Sequence, residues 1–251
     1  MPRYLKGLYM SLGMFSIIPQ PIRLWDEKAA HLVLPCFPIV GGLIGALWWG
    51  IAQLLSISGI HIILVSAVLA LIPFIASGFL HLDGYMDTSD AVLSRRPVEE
   101  KLLILKDPHT GAFAVIMLAV LFLLQFASVY ALIEKGKYFS LLIIIPAVSR
   151  CCTALSVLSL KTIPHSTYAN MFRQNTKTVH KVFIIVILLL CFVFSYFSAE
   201  FYGLIVIVSI AVGFTGALLY VYKSLHGVSG DVAGFALVIG ELCGLIAIAV
   251  I

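Results

Sequence analysis

The chain has 251 residues, 61% of them apolar and only 11% charged, with a mean hydropathy of +1.09. Soluble domains carry roughly 25% charged residues, so this composition excludes one and points to an integral membrane protein. The net charge of +4 comes without any basic block interleaved with aromatics, which excludes a nucleic-acid partner and leaves the cations as topology signals and contacts with membrane lipid.

Lipid satisfies no backbone polar group, so spanning segments must be helices or a closed barrel. The apolar runs here are continuous rather than alternating, which predicts helices. Residues 3–18 carry Arg3 and Lys6 before a short apolar stretch. No small-x-small cleavage site precedes Pro19-Gln20-Pro21, so this stretch reads as an uncleaved interfacial amphipathic helix. Seven segments long enough to cross a bilayer, or nearly so, follow at about 32–57, 60–80, 111–133, 138–160, 181–198, 201–222 and 232–251. Pro35, Pro38 and Gly41-Gly42 predict a break or kink in the first. The expected architecture is all-α: one polytopic helix bundle over residues 1–251, with about seven transmembrane helices and short interfacial ones.

Charge orients these helices. With the N-terminus inside, the inner segments hold 13 of the 16 basic residues: Arg3, Lys6, Arg23, Lys28, Arg95, Arg96, Lys101, Lys106, Lys161, Arg173, Lys177, Lys181 and Lys223. The outer turns hold Lys135 and Lys137 alone. The positive-inside rule then places the N-terminus in the cytoplasm, the C-terminus outside, and the chain in the cytoplasmic (inner) membrane. Asp83, Asp87, Asp90, Asp107 and Asp231 fall on the same cytoplasmic side, so any chemistry faces the cytoplasm. The five cysteines form no Cys-x-x-Cys pair and read as small packing residues. Gly234, Gly240 and Gly244 could support helix contact, which leaves a homo-oligomer open.

"GFLHLDGYMDTSDAV", residues 78–92, ends the second apolar run and concentrates three of the chain's twelve acids. Asp83, Asp87 and Asp90 are spaced i, i+4, i+7, which puts them within roughly 60° of arc on one helix face. Carboxylates that close repel one another and raise each other's pKa unless a cation neutralises them. A divalent metal, Mg²⁺ or else Mn²⁺, is the economical answer, with water and substrate phosphates completing its shell. The structural alternative, an acidic solvated helix end, explains one or two aspartates but fits three on one face badly. His81 lies nearby, off that face.

Other polar positions admit two readings. In "LKDPHTG", 105–111, Pro108 should end the preceding helix; Asp107 and Thr110 either cap helices, or Lys106 meets phosphate while Asp107 joins the site. In "LHGVSGDVAG", 225–234, Ser229 or Asp231 caps the last helix, or Ser229 and Gly230 offer backbone N–H groups to an anion. Arg150 and Glu241 lie inside apolar segments, where ionisable groups are expensive; they pair with each other or with a polar substrate.

"HLDGYMDTSDA", then "LKDPHTGAF", "PAVSR" and "GVSGDVAGFALVIGEL", together with "MFSIIPQP" and "CFPIVGGLIGAL", resemble in order the cobalamin synthase family. These are adenosylcobinamide-GDP ribazoletransferases. The resemblance implies a Mg²⁺-dependent membrane enzyme that joins adenosylcobinamide-GDP to α-ribazole or its 5′-phosphate and releases GMP. It implies that Asp83, Asp87 and Asp90 hold the metal on the diphosphate and that Asp231 holds a second metal or the ribose. His81 or Asp107 would take a proton from the attacking ribazole hydroxyl. Lys106 and Arg150 would bind phosphate. The loop "IPHSTYANMFRQN" departs from the family's usual Ala-Arg-x-x-Gly-type stretch and offers His165, Tyr168 and Arg173 instead.

Two other classes compete. A CDP-alcohol phosphotransferase also uses aspartates at cytoplasmic helix ends, but its motif puts Ala-Arg soon after Asp-Gly, where Asp83-Gly84 here runs into Tyr85-Met86-Asp87. A cation or vitamin transporter would place acids near the midplane and often show inverted repeats; here they cluster at one edge and no repeat is visible.

Overall fold

The computed structural model describes residues 2–22, 24–164 and 166–251. His165, one of the polar residues of the divergent loop, lies outside the described residues, and so does the side chain of Tyr168. Among the described residues the chain forms ten α-helices and two short 3-10 helices, with no strand beyond one isolated bridge between Thr162 and Val228. The all-α membrane bundle expected from composition is the architecture observed.

Helix α1, Arg3–Phe15, turns only Gly7, Met10, Ser11 and Phe15 fully inward and leaves Tyr4 and Leu5 exposed, as an interfacial helix does. A 3-10 turn, Glu27–Leu32, leads into α2, Val33–Ser56. The break expected there is absent. Pro35 sits in the first turn, where its missing N–H has no helical partner to lose, and the helix runs on through Pro38. Next come α3, Ile62–Ala76; α4, Leu80–Leu93; α5, Val98–Ile104; and α6, Ala112–Lys135. A second 3-10 turn precedes α7, Ile144–Ser159; α8 is Thr167–Arg173; α9 is Thr178–Leu225; and α10 is Gly230–Val250.

Five of these stretches are long and apolar enough to span a bilayer, and α3 reaches that length only when counted with α4, from which a 91° bend divides it. The 48-residue α9 is itself two limbs, because Ala199 and Glu200 leave helical geometry in its middle. Gly203 comes to lie against the backbone of Ser195, eight residues back, where a straight helix would hold them about 12 Å apart. A side chain at 203 would collide with the Ser195 carbonyl, so glycine permits the hairpin. Counting the two limbs separately, and α3 as a short crossing of its own, gives the seven expected crossings.

The connections sort to two ends. At one end Lys101 reaches Ser224 at 2.8 Å, the 161–163 and 228 backbones pair, and the His31 and His180 rings lie 5.3 Å apart. At the other end Tyr138 meets Tyr202, with Trp49 and Ser56 close by. All four segments expected to be cytoplasmic therefore share one end. Two buried clusters fill the bundle: one around Phe37, Tyr85 and Phe235 at the polar end, the other around Trp48, Leu69 and Ile207. Gly240 and Gly244 pack on Ile210 and Phe214 of α9, so they serve contacts inside the chain.

Candidate active site

Gly78 and Phe79 both adopt left-handed backbone, with φ of 65° and 60°, and α4 leaves α3 at 91°. Helix α4 is consequently not a continuation of the span; it lies across the ends of α6 and α10, outside the membrane-spanning segments. Its ring of Tyr85 stacks on Phe235 of α10 at 5.3 Å and its hydroxyl donates to the Met117 carbonyl of α6 at 3.1 Å. A Cβ at Gly84 would fall 2.8 Å from Asp231 Cα, so the two backbones approach as closely as they do only because residue 84 has no side chain.

That approach brings Asp231 to the two aspartates flanking Gly84. The carboxyl of Asp87 is pushed up to about 6, first by partial burial and then by the charges of Asp83, Asp231 and Asp90. Asp90 faces a different task. Its two oxygens accept hydrogen bonds from Gly111 N at 2.7 Å and Ala114 N at 3.1 Å, so it caps α6 from another helix. The three acids expected on one face thus divide: Asp83 is exposed, Asp87 half-buried, Asp90 buried and engaged.

Among the described residues no three His, Cys, Asp or Glu side chains stand close enough to ligate one ion by themselves. Mg²⁺ seldom asks for that: it keeps several waters and takes one or two carboxylates plus substrate phosphates. Asp83, Asp87 and Asp231 meet the requirement. They are hard oxygen donors on two helices, the charges of Asp83 and Asp231 both act on Asp87, and among the described residues no basic side chain forms an ion pair with them.

Beside this group is a cavity of about 300 Å³ that reaches Asp231, Gly230 and His81. His81, in the first turn of α4, is buried, and its Nε2 has no hydrogen-bond partner among the described residues. Burial, and then the nearby Arg150 charge, hold its imidazole well below the usual histidine range, so it stands neutral. A buried, unpartnered nitrogen at a cavity wall is where a substrate hydroxyl or N–H can bind.

Arg150 and Glu241 pair with each other. Arg150 Nη1 donates to Glu241 Oε1 at 2.7 Å and to the Pro146 carbonyl at 3.1 Å, and Ser149 Oγ donates to the same Glu241 oxygen at 2.8 Å. The guanidinium also lies over the Phe37 ring at 5.2 Å. This is the pairing alternative rather than open substrate groups. Ser229 caps α10, accepting from Val232 N at 3.2 Å, and donates to Asp231 Oδ2 at 3.3 Å; one residue thus serves as cap and orients the acid. Lys106 and Asp107 are exposed in the turn after α5. Asp107 accepts from His109 N at 3.0 Å and lies 2.6 Å from His109 Nδ1; these bonds hold its carboxyl below the usual range.

Several site residues had no assigned role in the sequence. Phe15, Phe37 and Thr153 line the cavity with His81. The stretches "MFSIIPQP" and "CFPIVGGLIGAL" contain both phenylalanines, but spacing along the chain says nothing of their meeting with rings 4.3 Å apart. Arg173, a polar residue of the divergent loop, donates to the Leu160 carbonyl at 2.6 Å and braces α8.

Residues 7–249 match the family model described as cobalamin-5-phosphate synthase. The chain is 42% identical over 246 residues to the adenosylcobinamide-GDP ribazoletransferase of Clostridium botulinum (strain Alaska E43 / Type E3), covering 98% of this chain and 97% of that protein. It is 38% identical over 248 residues to the protein of the same name from Clostridium perfringens (strain 13 / Type A), covering 99% of each. A third, from Lachnoclostridium phytofermentans, is 32% identical over 99% of this chain and 95% of its own length. No solved structure matches the chain. With the match running through every helix that builds the α4–α10 site, the chain belongs to the cobalamin-5-phosphate synthase family.

Proposed function

We propose that the chain is a membrane-embedded transferase that joins adenosylcobinamide-GDP to α-ribazole, or to its 5′-phosphate. The products are adenosylcobalamin, or its 5′-phosphate, and GMP. Full-length kinship with adenosylcobinamide-GDP ribazoletransferases supports the reaction. The observation that carries the site is the convergence of Asp83, Asp87 and Asp231 next to a cavity walled by neutral His81. Nothing favours a CDP-alcohol phosphotransferase or a transporter over this reading.

Asp83, Asp87 and Asp231 would hold Mg²⁺, or Mn²⁺, together with the diphosphate. When bound, that ion neutralises charge on the phosphates and on the departing GMP. The chain's own groups do the rest. His81 Nε2 accepts the proton of the ribazole 3′-hydroxyl as the oxygen attacks the phosphorus next to cobinamide. Its neutrality matters, because an imidazolium could not accept. Asp107 is tied to His109 and exposed, which leaves His81 as the better base. Asp90 fixes the start of α6 against α4, and the Arg150–Glu241 pair fixes α7 against α10, so both position the site. Gly230 and Ser229 shape the α10 N-terminus, where the helix dipole favours an anion. Lys106 is free to meet phosphate arriving from the cytoplasm. The concentration of basic residues at this end supports a cytoplasmic N-terminus and active site.

The test is a membrane preparation given both substrates with Mg²⁺. GMP and cobalamin should appear together, and Asp87→Ala should abolish both. Undiminished product from that variant would remove the carboxylate site from the mechanism.

A further inference from the structure

The proposed reaction brings two substrates of very different size to one end of the bundle. One is a nucleoside with a flat bicyclic base. The other is a GDP-bearing corrinoid, several times larger. The cavity beside His81 measures about 300 Å³, at the lower end of the roughly 300–1,000 Å³ in which small ligands bind. A corrin macrocycle cannot enter it; a nucleoside can.

Its walls match such a guest. Among the described lining residues only His81, Thr153 and Asp231 carry nitrogen or oxygen in their side chains. Thr153 already donates to the Ser149 carbonyl at 2.9 Å. The remaining surface is aliphatic and aromatic. Phe15, Phe37 and His81 form a ring cluster, with centroids 4.3 Å, 6.0 Å and 5.6 Å apart pairwise. Offset and tilted rings at such spacing are how an aromatic guest is held. The cavity therefore has an apolar aromatic body and a polar end, where His81 Nε2 is buried without a partner among the described residues and Asp231 faces the carboxylate group. A second, shallower cavity of about 610 Å³ adjoins it through Met14 and is lined by Met10, Trp25 and Met171. Its size and soft thioether surface suit the edge of a macrocycle outside.

We propose that the 300 Å³ cavity is the nucleoside subsite: the bicyclic base packs among Phe15, Phe37 and Val157, and the ribose points to His81 and Asp231. The corrinoid stays outside and presents only its diphosphate. This partition rests on the reaction proposed above. It also assigns base selectivity to the cavity. A benzimidazole buries one ring acceptor and no donor against the apolar walls, whereas a purine would bury several unpaired polar atoms.

Equilibrium dialysis of α-ribazole against the detergent-solubilised full chain, without metal, reads the subsite apart from turnover. Val157→Phe fills the cavity and should weaken α-ribazole at least tenfold, while the dissociation constant for adenosylcobinamide-GDP, followed by corrin absorbance, moves less than twofold. Phe37→Ala should raise the KM for α-ribazole with the same asymmetry. Adenosine should bind the wild type at least tenfold more weakly than α-ribazole. Retained corrinoid binding shows that the variants fold. If Val157→Phe weakens the corrinoid and spares the nucleoside, or if adenosine binds as well as α-ribazole, the partition is wrong. If the wild type binds both ligands yet forms no GMP, the reaction fails while the subsite stands.

Discussion

Replacing Gly84 with alanine isolates what the close approach of α4 and α10 does. The added Cβ falls 2.8 Å from Asp231 Cα and 3.1 Å from its carbonyl oxygen. Carbon atoms in contact sit about 3.5–4.0 Å apart, so the helices must part by roughly 0.7–1.2 Å at this point. Overpacking of this kind costs about 1–3 kcal/mol. Alanine in a helix interior returns about 0.5–1 kcal/mol relative to glycine. The net destabilisation is then roughly 0–2.5 kcal/mol, and the variant should fold. Activity is the sensitive readout, because Asp231 moves away from Asp83 and Asp87, and a misplacement of about 1 Å can cost on the order of 100-fold. The assay is GMP release by purified protein in detergent, beside a thermal melt. Gly42→Ala is the control: its Cβ would meet nothing within 4 Å, so turnover should be unchanged and the melt equal or higher. Gly84→Ala turning over within twofold of wild type would refute the claim that the α4–α10 approach builds the site.

Glu241→Ala should destabilise by about 3–5 kcal/mol, because Arg150 is left buried and unpaired; replacing both by apolar residues should recover most of that loss in a double-mutant cycle. Asp90→Ala removes a cap from two N–H groups of α6 and should cost about 1–2 kcal/mol, with turnover falling through displaced α4. The carboxyl of Asp87 rises from 3.8 to about 6 in the folded, metal-free protein. The folded state then binds more protons than the unfolded one between those values, so this group contributes stability that is lost as pH rises through about 6. Metal-free protein should melt higher near pH 5 than at pH 7, and Mg²⁺ with GDP should raise the melt more at pH 7, where Asp87 carries no competing proton. Cysteine-accessibility labelling in vesicles should find residue 2 on the cytoplasmic side and residue 251 outside.

Hydropathy made the spans legible because lipid imposes a length and an apolar composition on every crossing. The 199–200 hairpin was legible too, since Glu200 interrupts the run. The fate of the aspartates was only partly readable. Spacing put Asp83, Asp87 and Asp90 on one face, yet a face about 60° wide can meet two different neighbours. Asp90 turned to the backbone of α6, whose Gly111 lies 21 residues on, and Asp231 came in from α10. Arg150 and Glu241 are 91 residues apart, so their pairing was a tertiary fact that periodicity could raise but not decide. The cavity was least visible. Its phenylalanines look like any apolar residue until α1, α2 and α4 meet.

The most direct measurement is a Mn²⁺ titration by electron paramagnetic resonance, with adenosylcobinamide-GDP present and absent. The account predicts weak binding to the protein alone and tight binding with the diphosphate substrate. It further predicts that Asp87→Asn and Asp231→Asn each weaken the ternary complex by tenfold or more, while Asp107→Asn does not. Equal Mn²⁺ affinity in wild type, Asp87→Asn and Asp231→Asn would contradict it.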